Sequence, residues 1–347
     1  MLPLFPYKNG FAEVRMYSGE QTMRSTTPSM ATEIRIKGKD LHVPSAQIDG
    51  RTVIATGTWF KKAAIHDEEL LEGTTVRDPE SFVAQLRQTG LNADLFTFAQ
   101  QLPDTTPKYS YHLEWDNLAV IPITTYSDWL KNQVESSVPR AVRKAAKLGV
   151  VVKLAELDDA FVNGIVGINN ETPIRQGMAF WHYQKSFDAV KRENSTYADR
   201  NLFLGAYHGD ELIGFMRLTC VGGVANILQI LTMMKHFDKR PANALIAKAV
   251  EVCEQKGMSH LTYCNYTYKD PKSTLTEFKR RNGFEKVLLP RYFIPLTWKG
   301  KMALRLKLHH GLAAQIPQPV VRRLLKARSF WYGRILKTAK ETVKETI

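Results

Sequence analysis

Apolar positions recur mostly at period two between residues 31 and 138, predicting strands over 33–36, 52–60, 95–99 and 118–123. One helix interrupts them: Asp78-Pro79 supplies an N-cap and first helical residue, and Gly90 closes it, so the pattern predicts a helix over 79–88. A helical stretch from Tyr126 to Leu148 carries Arg140, Arg143, Lys144 and Lys147, a basic face open to two readings, phosphate contact or plain solvation. A regular alternation follows. A strand over 150–154 precedes helices over 158–169, capped by Asp158, and 187–193. Strands over 202–207, 212–218 and 225–234 then form a meander, turning at Gly209-Asp210 and Gly222-Gly223. A helix over 242–256, a strand over 261–266, a helix over 274–281 and a strand over 292–296 complete the pattern.

Composition agrees with a folded protein. The 44% apolar and 24% charged fractions over 347 residues exclude disorder as the default and leave room for two domains. The boundaries predicted are a weakly patterned arm over 1–30, an α/β lobe over 31–138, a second lobe over 139–297 and a basic tail over 298–347. Cys220, Cys253 and Cys264 are too few and scattered for a disulfide framework or zinc knuckle, so no metal is expected. No apolar run approaches the ~18 residues of a spanning helix, and a cytoplasmic location is expected. The net charge of +14 is concentrated at the end, where twelve Lys and Arg stand against Glu341 and Glu345 over 298–347.

The chemistry centres on 224–284. There an apolar strand leads into Lys239-Arg240-Pro241-Ala242-Asn243-Ala244, which opens a helix. Pro241 suits the first helical position, Ala242 and Ala244 keep side-chain bulk off the turn, and free N-terminal amides beside Lys239 and Arg240 attract anions. Further on stands Phe278-Lys279-x-x-x-Gly283.

In this order the segments resemble the GNAT acyltransferase superfamily, and the chain from about Thr32 resembles its tandem FemAB-like branch. The resemblance implies an α/β (α+β) GNAT fold: a mixed, mostly antiparallel sheet flanked by helices, with a degenerate first lobe before the acyltransferase lobe. It implies acetyl-CoA or another acyl-CoA as co-substrate, held by Lys239, Arg240, Ala242, Asn243 and Ala244 at its pyrophosphate. Asn265 and Lys279 would reach the rest of the cofactor. The strand before the turn is expected to splay from its neighbour, and the backbone N–H of Met234, next to Met233, to polarise the thioester carbonyl. Phe278 and Lys279 stand where many relatives carry the tyrosine that protonates the thiolate. Tyr263, Tyr266 and Tyr268 are its substitutes by position.

The loop over 170–183 mixes charge, aromatic surface and turn residues, and in this fold it walls the acceptor site. Glu171 or His182 are candidates for the base that takes the amine proton. Arg175 is a candidate for a substrate carboxylate or phosphate, with Trp181 and Tyr183 as aromatic contacts. For each residue the ordinary alternative is a solvated Glu, an ion-paired Arg or a core aromatic. His309-His310 reads as surface.

In the tail, Val321, Leu324, Leu325, Tyr332, Ile335 and Ala339 mark one helical face, opposed by Arg322, Arg323, Lys326, Lys337 and Lys340. It either lies on an anionic membrane or packs on the enzyme. The expected function is acyl transfer to an amine, such as an amino sugar or a lipid-linked envelope precursor, in the cytoplasm, and peripheral to the inner face of the membrane if the tail lies on it. Two alternatives stand beside it: aminoacyl transfer from transfer RNA, the one nucleic acid expected as partner, and a non-catalytic binding lobe.

Overall fold

The computed structural model describes residues 30–36, 39–71, 76–175, 178–268 and 273–310. Residues 1–29 and the amphipathic segment over 311–347 lie outside them. Along the chain come β1 (Met30–Ile36), β2 (Lys39–Ile48), β3 (Arg51–Thr56), β4 (Lys62–Ile65), α1 (Pro79–Gln88), β5 (Leu95–Ala99) and β6 (His112–Pro122). Then follow α2 (Tyr126–Asp128), α3 (Ser137–Lys147), β7 (Val150–Ala155), α4 (Asp159–Asn170), β8 (Ile174–Arg175), β9 (Met178–Ala179) and α5 (Phe187–Asn194). The meander β10 (Asn201–His208), β11 (Glu211–Val221) and β12 (Val224–Thr232) leads to α6 (Pro241–Gln255), β13 (His260–Asn265), α7 (Thr274–Arg281), β14 (Glu285–Pro295) and α8 (Trp298–Arg305).

By compactness the described chain forms two units, residues 117–287 and residues 30–116 with 288–310. The stretch over 117–138, which the pattern assigns to the first lobe, thus packs with the second, and β14 carries the chain back. In the unit over 30–116 and 288–310 the strand order is β1-β2-β3-β4-β5-β14, around a core that stacks Phe82, Phe96 and Phe98.

The other unit has the order β7-β10-β11-β12-β13-β6 and is antiparallel except where β12 meets β13. α6 is apolar nearly all round, with Leu245, Ile246, Ala249 and Val250 at most 1% exposed, because it lies in the core of this unit. α4 begins at the Asp158 cap, whose carboxylate accepts from Phe161 N at 2.7 Å. It approaches the sheet so closely that a Cβ at Gly164 would lie 2.6 Å from Leu212 Cδ2.

The helix read over 126–148 is divided. α2 runs into a π turn over Trp129–Gln133, and α3 starts afresh at Ser137. The break is tertiary in origin: Trp129 is buried with Nε1 donating to Asn282 O at 3.1 Å, and Glu135 N donates to Arg281 O at 2.9 Å.

Candidate active site

β12 and β13 are paired only from Val224–His260 to Asn226–Thr262, and thereafter the two strands separate. The separation is built by β13. Its register against β6 slips between Thr262 and Asn265, and Cys264 takes a left-handed conformation at φ 47°. The carbonyls on either side of that kink are captured by one cation: Lys279 Nζ donates to Tyr263 O at 2.7 Å and to Asn265 O at 2.6 Å. Lys279 is fully buried, 4.4 Å above the Tyr263 ring, and burial pulls its ammonium down to about 8. Lys279 therefore props the splay and does not face a cofactor. The other motif residues also serve packing. Phe278 lies against the core, and Gly283 ends α7 at φ 82°, where a Cβ would stand 3.0 Å from Trp129 Nε1.

At the far end of β12 the backbone leaves the sheet. Met233 N still donates to Ile213 O at 2.8 Å, and the Met233 side chain is core. The next two amides converge on one carboxylate: Met234 N lies 2.7 Å from Glu171 Oε2 and Lys235 N lies 2.8 Å from Glu171 Oε1. Arg175 Nη2 donates to the same Glu171 Oε2 at 3.1 Å, and its other bonds go to Ile168 O and Thr232 O, both at 2.9 Å. The Arg175 guanidinium is buried over the Phe180 ring, and desolvation lowers its pKa. One expectation is corrected: Arg175 is a buried brace for α4 and β12, without a face for a substrate anion. Glu171 in this arrangement accepts from two backbone amides.

The turn after β12 follows its expected course. Arg240, exposed, takes φ 59° as the N-cap residue of α6, Pro241 is the first helical residue, and Ala244 N donates to Arg240 O at 3.3 Å. The amides of Ala242 and Asn243 precede the first helical bond, so they have no acceptor within the helix. Both Ala242 and Ala244 side chains are buried in the core, and Asn243 Nδ2 donates to Asn282 Oδ1 at 3.0 Å, tying α6 to the end of α7. Lys239 Nζ lies 3.8 Å from Asp238. The cationic surface at this helix start is thus Lys239 and Arg240, and the Asn243 side chain is structural.

The expected acceptor wall forms a polar cluster. His182 is buried, its ring 3.6 Å from that of Trp181, with Nδ1 3.2 Å from Lys185 Nζ and Nε2 3.4 Å from Gln229 Nε2. Lys185 in turn lies 4.2 Å over Trp181 and 2.5 Å from Glu193 Oε2. A lysine donating to Nδ1 leaves the ring proton on Nε2, so the Gln229 amide oxygen is the group that suits the His182 side. Trp181 keeps 38% of its surface exposed, whereas Tyr183 packs on the α4 core. Lys185, Gln229 and Glu193 are absent from the sequence-based site. Gln229 had a signal, an amide inside an apolar strand, but Lys185 and Glu193 look like any surface charges until α5 folds back. Of the tyrosines, Tyr263 is packed on Phe284 with its phenol pushed far up by burial, and Tyr266 is only partly buried, its phenol raised less.

No family model and no curated protein matches the sequence. Among solved structures, the chain is similar to the C-terminal domain of a putative lysylphosphatidylglycerol synthetase from Agrobacterium fabrum at 11% identity, with a TM-score of 0.49 over 76% of this chain and 87% of that one. It is similar to FemX at 10% identity and TM-score 0.48, covering 76% and 88% of the two chains. A tandem GNAT protein from the clavulanic acid biosynthesis pathway is similar at 10% identity and TM-score 0.42, covering 78% and 84%. By its own strand order, the splay of β12 from β13 and the helix that follows the splay, the chain has a GNAT-like fold of the FemAB type.

Proposed function

We propose that the chain is an acyltransferase that moves an acyl group from acyl-CoA, acetyl-CoA in the simplest case, to an amine. One observation carries the reading: the Met234 and Lys235 amides, at the end of the splayed strand, hold an anionic oxygen pair where a thioester oxygen is expected in this fold. Two backbone donors fixed on a developing oxyanion lower the barrier to acyl transfer, and they need no reorganisation as charge forms. The α6 N-terminus with Lys239 and Arg240 receives the pyrophosphate.

In this mechanism the donor carbonyl displaces the Glu171 carboxylate from the amides. The acceptor nitrogen attacks the carbonyl carbon, the C–N bond forms, and the C–S bond breaks. Glu171, released from the amides, accepts the proton shed by the amine, and Tyr266 gives a proton to the departing thiolate. Burial raises the Tyr266 phenol from its ordinary value, and a phenol is protonated at neutral pH even without that shift. The exposed face of Trp181 is suited to stacking on a sugar ring, which points to an amino sugar, free or on a nucleotide or lipid carrier.

Aminoacyl transfer from transfer RNA is the second reading, since an ester carbonyl suits the same amide pair. Titration calorimetry with acetyl-CoA and coenzyme A separates them: heat with both supports the acyl-CoA donor. Silence with both, and product from an aminoacyl-transfer RNA, would transfer the assignment to the second donor.

A further inference from the structure

The unit over 30–116 and 288–310 gathers three imidazoles around one carboxylate. His112 and Glu114 are two apart on β6 and so share a face of the strand. His309 and His310 lie in the helical turn after α8. His309 Nε2 is 2.7 Å from Glu114 Oε1, His112 Nε2 is 3.5 Å from that same oxygen, and His310 Nε2 is 2.9 Å from Glu114 Oε2. The donor atoms of His112, Glu114 and His309 all lie within 4.8 Å of one another. The pattern of the tail places His309 on the surface, but its side chain is 0% exposed and packs 4.9 Å from the Phe293 ring.

The buried ring of His309 meets an acceptor on each side. Nε2 faces the Glu114 carboxylate and Nδ1 faces Ala303 O at 3.5 Å. A neutral imidazole has one N–H, so either tautomer leaves a lone pair opposed to an oxygen. A cation between Nε2 and Glu114 removes the conflict, because the proton then stays on Nδ1 and points at the carbonyl. That second bond, from the free ring nitrogen to a backbone carbonyl, is the one metal-bound histidines use to fix their orientation.

We propose that His112, Glu114 and His309 bind a divalent first-row cation, zinc foremost, and that His310 holds the second carboxylate oxygen. Two imidazoles and a carboxylate are a donor set zinc accepts, at about 2.0–2.2 Å from each atom, and small rotations of partly exposed side chains bring these atoms to that range. The ion would tie β6 to the chain that follows α8, joining segments about 195 residues apart.

The test uses the untagged full chain, stripped with chelator, incubated with zinc chloride, desalted and assayed for metal by mass spectrometry, alongside thermal melts. Expected are one retained zinc per chain and a higher melting temperature with zinc. In His112→Ala, whose side chain is nearly half exposed so that folding is spared, affinity is expected to fall at least ~10-fold, the lower end of what loss of even an outer-shell partner costs. No retained metal and no shift in the wild-type chain would overturn the proposal and leave His309 hydrogen-bonded to Glu114 alone. Equal zinc in wild type and His112→Ala would overturn it as well, since the metal would then be bound elsewhere.

Discussion

Glu171 Oε2 accepts from Met234 N at 2.7 Å, so the amide best placed to polarise an acyl oxygen is already satisfied within the chain. The carboxylate imitates the charge that the proposed reaction would develop there, and under that proposal donor binding must replace it. In Glu171→Gln the side-chain oxygen is neutral and a weaker acceptor, so the amide pair is easier to vacate. Acetyl-CoA affinity measured by calorimetry is expected to rise a few-fold while kcat falls, because the base is lost with the plug. An unchanged affinity would mean that Glu171 and the acyl oxygen do not compete. Stability is expected to drop by about 1–3 kcal/mol, since Arg175 loses its charged partner in a buried setting.

Lys279 makes the stability of the unit over 117–287 pH-dependent with a definite sign. Its folded pKa of about 8 lies below the unfolded value of 10.5, so between those values the unfolded chain binds more protons than the native one. The lysine's contribution is thus least favourable below pH 8 and rises toward pH 10.5, with a slope of at most about 1.4 kcal/mol per pH unit for one proton. Urea titrations of the wild type and Lys279→Met over pH 7 to 10 isolate it, because other groups cancel in the difference. A flat difference would show that the ammonium is not depressed. At pH 7 the variant is expected to be the less stable, with Tyr263 O and Asn265 O left without a donor.

The same lysine marks what the sequence conveyed and what it did not. Phe278-Lys279-x-x-x-Gly283 was recognisable as a motif, but a cation on a surface-patterned helix reads as a ligand contact. Its role as a brace follows from a kink at Cys264 that no local preference announces. α1 was legible to the residue because Asp78 and Pro79 fix its start locally. β2 and β4 were missed: β2 contains Pro44 and β4 spans only Lys62–Ile65, so neither has a periodic signature, and both are held by pairing with β3. The site residues Arg175 and Asn243 were found for their chemistry and turned out to be tertiary ties, because burial and partner identity are properties of the folded chain.

Gly283 is expected to tolerate no side chain. Its φ of 82° disfavours L-residues, and an added Cβ would also stand 3.1 Å from Gln133 O. Gly283→Ala should lose more than the ~1 kcal/mol of an ordinary glycine exchange, read as a lower denaturation midpoint with unchanged m-value. A midpoint equal to wild type would show that the π turn around Trp129 gives way freely.

Arg240 offers a way to separate donor binding from folding. It adopts φ 59° without being glycine, a conformation that costs an ordinary residue on the order of 1 kcal/mol. Arg240→Gly relieves that strain and removes the charge, so the melting temperature is expected to hold or rise while affinity for coenzyme A falls. Arg240→Lys keeps the charge and is expected to retain most of the affinity. If Arg240→Gly binds coenzyme A as well as the wild type does, the pyrophosphate is not held at this turn.

The tyrosines of the kinked strand divide by environment. Tyr263 is packed between Phe284 and the Lys279 ammonium, and burial drives its phenol far above the usual range, whereas Tyr266 sits at the strand end with its phenol less perturbed. An acid for the thiolate must be protonated at working pH and must reach the donor, and Tyr266 meets the first condition without the enclosure of Tyr263. Tyr266→Phe is therefore expected to lower kcat by about 10²- to 10⁴-fold, the usual range for losing a positioned proton donor. KM for acetyl-CoA should stay near the wild-type value, because the hydroxyl acts only as the thiolate forms. Tyr263→Phe should leave kcat within a few-fold. Full turnover in Tyr266→Phe would remove this tyrosine from the mechanism and leave water as the proton source for the leaving thiolate.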